Sequence, residues 1–173
     1  MLSSLVRRDQ GHALRLDLFI LFTFLFSIFF NTSCEDRSWN YASNSLEELG
    51  QNVVDSLNLS SLEKLHQIRV SQQEYQGWVL PAFPETGFPD DFTWNNLNKN
   101  CLIAASRSVQ NYGQGELKFV SLEFEDSARN YRGFRLLRGS VLTVLREKEE
   151  VKLRFLGSVI QKGTQYKFLS YKD

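Results

Sequence analysis

The chain has 173 residues, 42% of them apolar, and its 20 Lys/Arg balance 20 Asp/Glu. Only two histidines occur, too few for a histidine-rich metal centre. P-loop, GxGxxG, GxSxG, CxxC and HExxH patterns are missing, which removes the commonest nucleotide, hydrolase, redox and zinc chemistries.

Arg7, Arg8 and Arg15 precede a thirteen-residue apolar run from Leu18 to Phe30. A helix needs roughly 20 residues to cross the hydrocarbon core, and extending this run backwards brings in Arg15 and Asp17, which are costly in lipid. The pattern of basic start, short apolar run and small or polar residues reads as a secretory signal. Three fates remain open at Asn31-Thr32-Ser33-Cys34: ordinary cleavage, retention as an uncut anchor, or lipidation of Cys34. In Thr32, Ser33 and Cys34 the stretch resembles the bacterial lipobox, with Asn31 where that pattern prefers an aliphatic residue. The resemblance implies a signal peptide over 1–33, diacylglycerol on Cys34 and a polar tether over 34–43. It also implies a place in the cell envelope, facing the periplasm or exterior, with the membrane as partner through the lipid anchor. Each buried CH₂ of such chains contributes about 0.8 kcal/mol of membrane affinity.

Cleavage before Cys34 leaves 140 residues, enough for one domain with a core, over 44–173. His66 is then the sole histidine, so a Ser-His-Asp relay would depend on it. It adjoins an apolar helical stripe and reads as a surface or half-buried helix residue. Cys101 lies in a helical apolar pattern and reads as a small buried hydrophobe, with a Cys34–Cys101 disulfide the alternative in an oxidising compartment. Charge is segregated along the chain: 6 Lys/Arg face 14 Asp/Glu over 34–128, and 11 face 4 over 129–173. We read this as two faces of one domain, and the exported address argues against nucleic acid.

Helices come first. Ser45 to Glu48 has capping-box spacing ahead of Leu46, Leu49, Val53, Val54 and Leu57. Ser60 to Glu63 repeats it before Leu62, Leu65 and Ile68, and Ser71 to Glu74 caps a third segment carrying Tyr75 and Trp78 until Pro81. WVLPAFPETGFPDDF holds all three prolines with Trp78, Phe83, Phe88 and Phe92, and predicts an irregular loop, either a lid or a packed structural segment. Asp90 or Asp91 should cap the longest helix, which presents Trp94, Leu97, Cys101, Ala104, Ala105 and Val109 on one face and ends at Gly113.

After Gly115 the pattern turns to strands: ELKFVSLEFED, YRGFRLLRGSVLTVLRE, VKLRFLGSVIQ and TQYKFLSYK, with turns expected at SARN, KEE and KG. Gly133 and Gly139 mark a bulge or bend within the second segment. The expectation is an α+β domain, with N-terminal helices packed on one face of a curved antiparallel sheet of about four strands.

LEELGQNVVDSL, the glycine-bent YRGFRLLRGSVLTVL and the closing VKLRFLGSVIQKGTQYKFLSYKD resemble the cystatin-like, nuclear transport factor two-like superfamily over residues 44–173. The loop Trp78-Val79-Leu80-Pro81 and the helix start Asp91-Phe92-Thr93-Trp94 are also similar to uncharacterised bacterial proteins. The superfamily implies a cone with a pocket at its mouth, and its members include enzymes, binding proteins and interaction modules, so it assigns no catalytic residue here. Two functions compete. The first is a non-catalytic envelope lipoprotein binding a small apolar ligand or a protein, with Trp78, Trp94 and Tyr112 as candidate ligand-binding residues and no cofactor or metal. The second is a small pocket enzyme of isomerase or hydrolase type, drawing on Asp90, Asp91, Glu123, Glu125, Tyr112 or Tyr131. A homodimer formed through the open sheet face is a third reading.

Overall fold

The computed structural model describes residues 39–85 and 87–172; the signal segment, Cys34 and the tether up to residue 38 lie outside them. The helices start as the serine spacing predicts, with shifts in detail. Helix α1 (Leu46–Asn58) is capped by Ser45, whose Oγ accepts from the Glu48 N–H at 3.0 Å. The Glu48 carboxylate reaches past Ser45 to accept from the Asn44 N–H at 2.7 Å. Helix α2 (Leu62–Gln67) uses Ser61 as its cap, one residue later than expected, and Ser60 takes a left-handed φ of 50°. Helix α3 (Gln72–Glu74) carries the complete Ser71/Glu74 capping box. It continues as a π-helical turn, Tyr75–Val79, that buries both end residues, and then as a 3₁₀ turn, Leu80–Ala82. Pro81 therefore sits inside a short regular turn rather than an irregular loop.

Helix α4 (Asp90–Tyr112) corrects the cap assignment. Pro89 occupies the N-cap without a side-chain bond, and Asp90 and Asp91 lie in the first turn, where the positive end of the helix dipole favours carboxylates. Gly113 ends the helix at φ −61°, so close approach rather than left-handed geometry selects it: a Cβ there would lie 2.6 Å from Ser60 Oγ.

The sheet is antiparallel and has five strands: β1 (Lys118–Tyr131), β2 (Phe134–Arg146), β3 (Glu149–Leu153), β4 (Val159–Lys162) and β5 (Gln165–Phe168). Strand order is β1-β2-β4-β5, and β3 shares with β4 the second edge of β2. The segment read as one strand, VKLRFLGSVIQ, thus divides into β3 and β4. SARN is not a turn: β1 runs through it, with a register shift between Asp126 and Arg129. The hairpin turn is Arg132-Gly133 instead, and Gly133 supplies φ +88°.

Gly139 is the bend expected within β2, at φ +68°, and a Cβ there would lie 3.2 Å from the backbone nitrogen of Asp126. Before it Leu137 faces the helical core; after it Leu142 and Val144 do. The face reverses parity across this one residue, as a positive-φ bend allows.

Two apolar clusters result. The larger packs Leu49, Val53, Leu57, Leu65, Cys101 and Ala105 against Leu137, Leu142, Val159 and Phe168. The other sets Trp39, Tyr75, Val79 and Trp94 against Phe134, Leu136 and Ile160. Leu136 pairs with Ile160 and Leu137 with Val159, so the two clusters lie on opposite faces of the same strands. Here both sheet faces are covered, not one. At the other end α1 lies so close to β1 that a Cβ on Gly50 would strike the Phe119 ring.

Candidate functional site

On α4 the buried stripe Cys101, Ala104, Ala105 and Ser108 turns toward the core, which leaves Arg107, Asn111 and half-buried Tyr112 along its border. Strand β3 buries Leu153 and projects Lys152, and Arg154 follows where the chain leaves the sheet. The C-terminal segment returns alongside: Leu156 bridges Tyr171, and the Lys172 N–H donates to the Phe155 carbonyl at 2.6 Å. These three segments enclose an open cleft of about 430 Å³, lined by Arg107, Asn111, Tyr112, Lys152, Arg154 and Lys172, with Ala104, Ser108 and Phe155 completing the wall. Its lining contains four cations and no carboxylate, imidazole or thiol.

Glu125 on β1 reaches the rim and pairs with Arg154. That hydrogen bond, aided by the charges of Arg154, Lys152 and Lys172, holds its carboxyl below the ordinary range. Beneath the cleft the structure is fixed. Phe155 packs on Tyr171 with ring centroids 5.9 Å apart. The Tyr171 hydroxyl donates to the Leu65 carbonyl at 2.5 Å, and the Tyr171 N–H donates to Cys101 Sγ at 3.3 Å. Full burial raises the Tyr171 hydroxyl far above the usual tyrosine value. Cys101 is a buried free thiol, as its helical position predicts.

The sequence-predicted residues divide between the two clusters. Trp94 is buried against Tyr75, centroids 5.4 Å apart, beneath the Arg69 guanidinium at 5.3 Å. Trp78 packs edge-on against Trp39 and Phe134, at 5.3 and 5.8 Å. Both tryptophans are therefore wall material of one aromatic cluster, whereas Tyr112 belongs to the cleft. Phe83 pins the proline-rich segment onto Tyr131 and Phe134, at 4.8 and 5.8 Å, which makes that part a packed structural segment. Phe88 and Phe92 beyond it are exposed and contact each other at 5.4 Å.

Two buried cations also mark the aromatic cluster. Lys167 contacts Glu74 and donates to the Asn40 carbonyl at 2.9 Å. Arg69 Nη2 donates to Asn98 Oδ1 at 2.5 Å, and Nη1 has no hydrogen-bond partner among the described residues. Half-buried His66 is held below its ordinary value by burial and by Arg69.

Of the residues considered for acid–base work, Asp90, Asp91, Glu123 and Glu125 are all exposed, and Tyr131 stacks on Phe134 at 5.2 Å. Glu125 pairs with Arg154, and Arg138 lies 3.8 Å from Asp126. The cleft cations were absent from the sequence-based site. For Lys152, Arg154 and Lys172 the one signal was the basic excess after residue 128, which spacing alone does not fold into a pocket, and Arg107 lies outside that stretch. No family model, curated protein or solved structure matches the chain.

Proposed function

We propose that this chain is a membrane-anchored binding protein of the cell envelope, tethered through lipid on Cys34, whose domain holds a ligand in the cleft of α4, β3 and the C-terminal segment. The observation that carries the reading is the composition of the cleft: its polar lining consists of cations, an amide and two hydroxyls, groups that hold an anion or a polar partner. An acid–base enzyme needs a titratable pair with separated proton affinities in a shielded site. Here the carboxylate at the rim, Glu125, is kept ionised by Arg154 and is solvent-exposed. The lysine with a shifted proton affinity, Lys167, is enclosed by Glu74, Asn40 and Trp39 rather than opening to a cavity. Helices followed by an antiparallel sheet also support the resemblance to the cystatin-like superfamily, many of whose members bind rather than transform.

Native mass spectrometry of the full chain, extracted from its own membrane, tests the proposal. A non-covalent adduct or partner that disappears in Tyr112→Ala is expected. Extraction of bare protein, with turnover of a substrate that survives Tyr112→Ala, overturns it.

A further inference from the structure

The cleft brings like charges together from three distant stretches of chain, and that arrangement carries information about its occupant. Leaving Arg107 aside, three cations, Lys152, Arg154 and Lys172, surround one carboxylate, Glu125. Glu125 is engaged by Arg154. Neither Lys152 nor Lys172 has an ion-pair partner among the described residues. Both side chains are exposed. Among the described residues, Lys152, Arg154 and Lys172 against Glu125 leave an excess of two positive charges. Surface cations normally spread out or pair; gathering them around one concavity costs self-repulsion, which a bound anion relieves.

The geometry restricts that anion further. Arginine presents a planar fork that fits two oxygens of one group, and lysine supplies a movable point charge. Two unpaired lysines, with the Arg154 guanidinium shared with Glu125 beside them, around a space of about 430 Å³ suit a compact, doubly charged oxyanion rather than a single carboxylate. The remaining wall is made by the Tyr112 and Phe155 rings and Ala104, a surface for an attached apolar or aromatic portion. Asn111 and the Tyr112 hydroxyl add neutral hydrogen-bonding groups beside the cations. We propose that the cleft recognises a phosphate dianion borne on an organic group, either a soluble phosphomonoester or the phosphomonoester headgroup of a lipid. This rests on the binding reading given above and names the ligand class of the same site.

The test uses the full chain in detergent micelles, with phenyl phosphate as soluble probe and inorganic phosphate beside it, measured by isothermal titration calorimetry. A second arm titrates the same micellar protein with short-chain phosphatidic acid, against short-chain phosphatidylcholine, so that the lipid anchor does not itself register as binding. The Lys152→Ala/Lys172→Ala double variant serves both arms, because both side chains are exposed and the anchor is untouched. Saturable binding of phenyl phosphate is expected, weakened at least about tenfold in the double variant. Binding should strengthen as pH rises through about 6, where the second phosphate proton leaves, and should weaken with salt. Phosphatidic acid binding that the double variant loses, with weak phenyl phosphate binding, assigns the dianion to a lipid; the reverse assigns it to a soluble ligand. Absence of binding in both arms, or equal binding by the double variant, overturns the proposal. An adduct in native mass spectrometry that contains no phosphorus overturns it too, while leaving the binding role standing.

Discussion

The ammonium of Lys167 lies 2.9 Å from Oε2 and 3.1 Å from Oε1 of Glu74, on the aromatic side of the sheet. Lys167 pairs across β4 and β5 with Ile160, and that face is covered by Trp39 and the π-helical turn. A charge placed there requires a counterion, and the α3 capping residue supplies it. Replacing Glu74 with Gln should cost about 3 kcal/mol in urea unfolding, because it strands a buried cation. A loss below about 0.5 kcal/mol would show the pair to be energetically idle, as exposed pairs are.

Tyr171→Phe leaves the buried Leu65 carbonyl without its donor and should cost about 1–3 kcal/mol. Burial raises the folded-state proton affinity of Tyr171. Above about pH 10 the unfolded chain releases a proton that the folded chain keeps, so the stability contributed by this hydroxyl is lost as pH rises. Unfolding midpoints measured from pH 8 upward should fall more gently for the phenylalanine variant than for the wild type.

His66 has the opposite sign. Its folded-state affinity for a proton is lowered by burial and by Arg69, so below the ordinary histidine value the unfolded chain binds more protons. Stability attributable to His66 is present above that value and declines as pH falls through it. His66→Gln should flatten the pH dependence of unfolding between pH 5 and 7; an unchanged slope there contradicts the assignment.

Gly139→Ala should destabilise the fold by about 1–2 kcal/mol, the cost of a left-handed backbone at a residue with Cβ. The new methyl would also crowd Asp126 on the facing strand. Chemical denaturation measures the loss. Gly163→Ala, at φ +59° with open space around its Cβ position, separates the backbone cost from crowding.

Thiol labelling addresses both ends of the chain's cysteine chemistry. Cys101 is fully buried and should react with a thiol reagent only at the rate of unfolding. If Cys34 carries lipid, the native protein shows no fast-reacting thiol, and metabolic fatty-acid label disappears in Cys34→Ala. Label retained by that variant refutes the anchor.

Local grammar carried the α+β order: serine spacing placed three helix starts within a residue, and the apolar stripe of α4 was legible from Trp94 to Ala105. The strand boundaries were less so. SARN has turn composition, yet its own Arg129 and Asn130 pair with Leu136 and Arg135, because a long ladder absorbs a bulge more easily than it breaks. Asp90 and Asp91 have the composition of caps, yet Pro89 occupies that position. Trp78 and Trp94 were reasonable as ligand contacts by type, but burial between layers depends on tertiary packing that periodicity does not encode. The cleft was the hardest to see: Arg107, Lys152 and Lys172 lie far apart in sequence and meet only because the chain end folds back beside Phe155.

Adjacent residues Leu136 and Leu137, Val159 and Ile160, and Phe168 and Leu169 are all buried, one of each pair in each cluster. Apolar alternation therefore cannot tell these strands which side is which, and a slip by one residue would exchange one oily face for another at little cost. Lys167 breaks that degeneracy. In a slipped pairing its ammonium would enter the helical core, away from Glu74, at a cost of several kcal/mol. A single charge that looks like a blemish in a dry interior thus guards the fidelity of assembly.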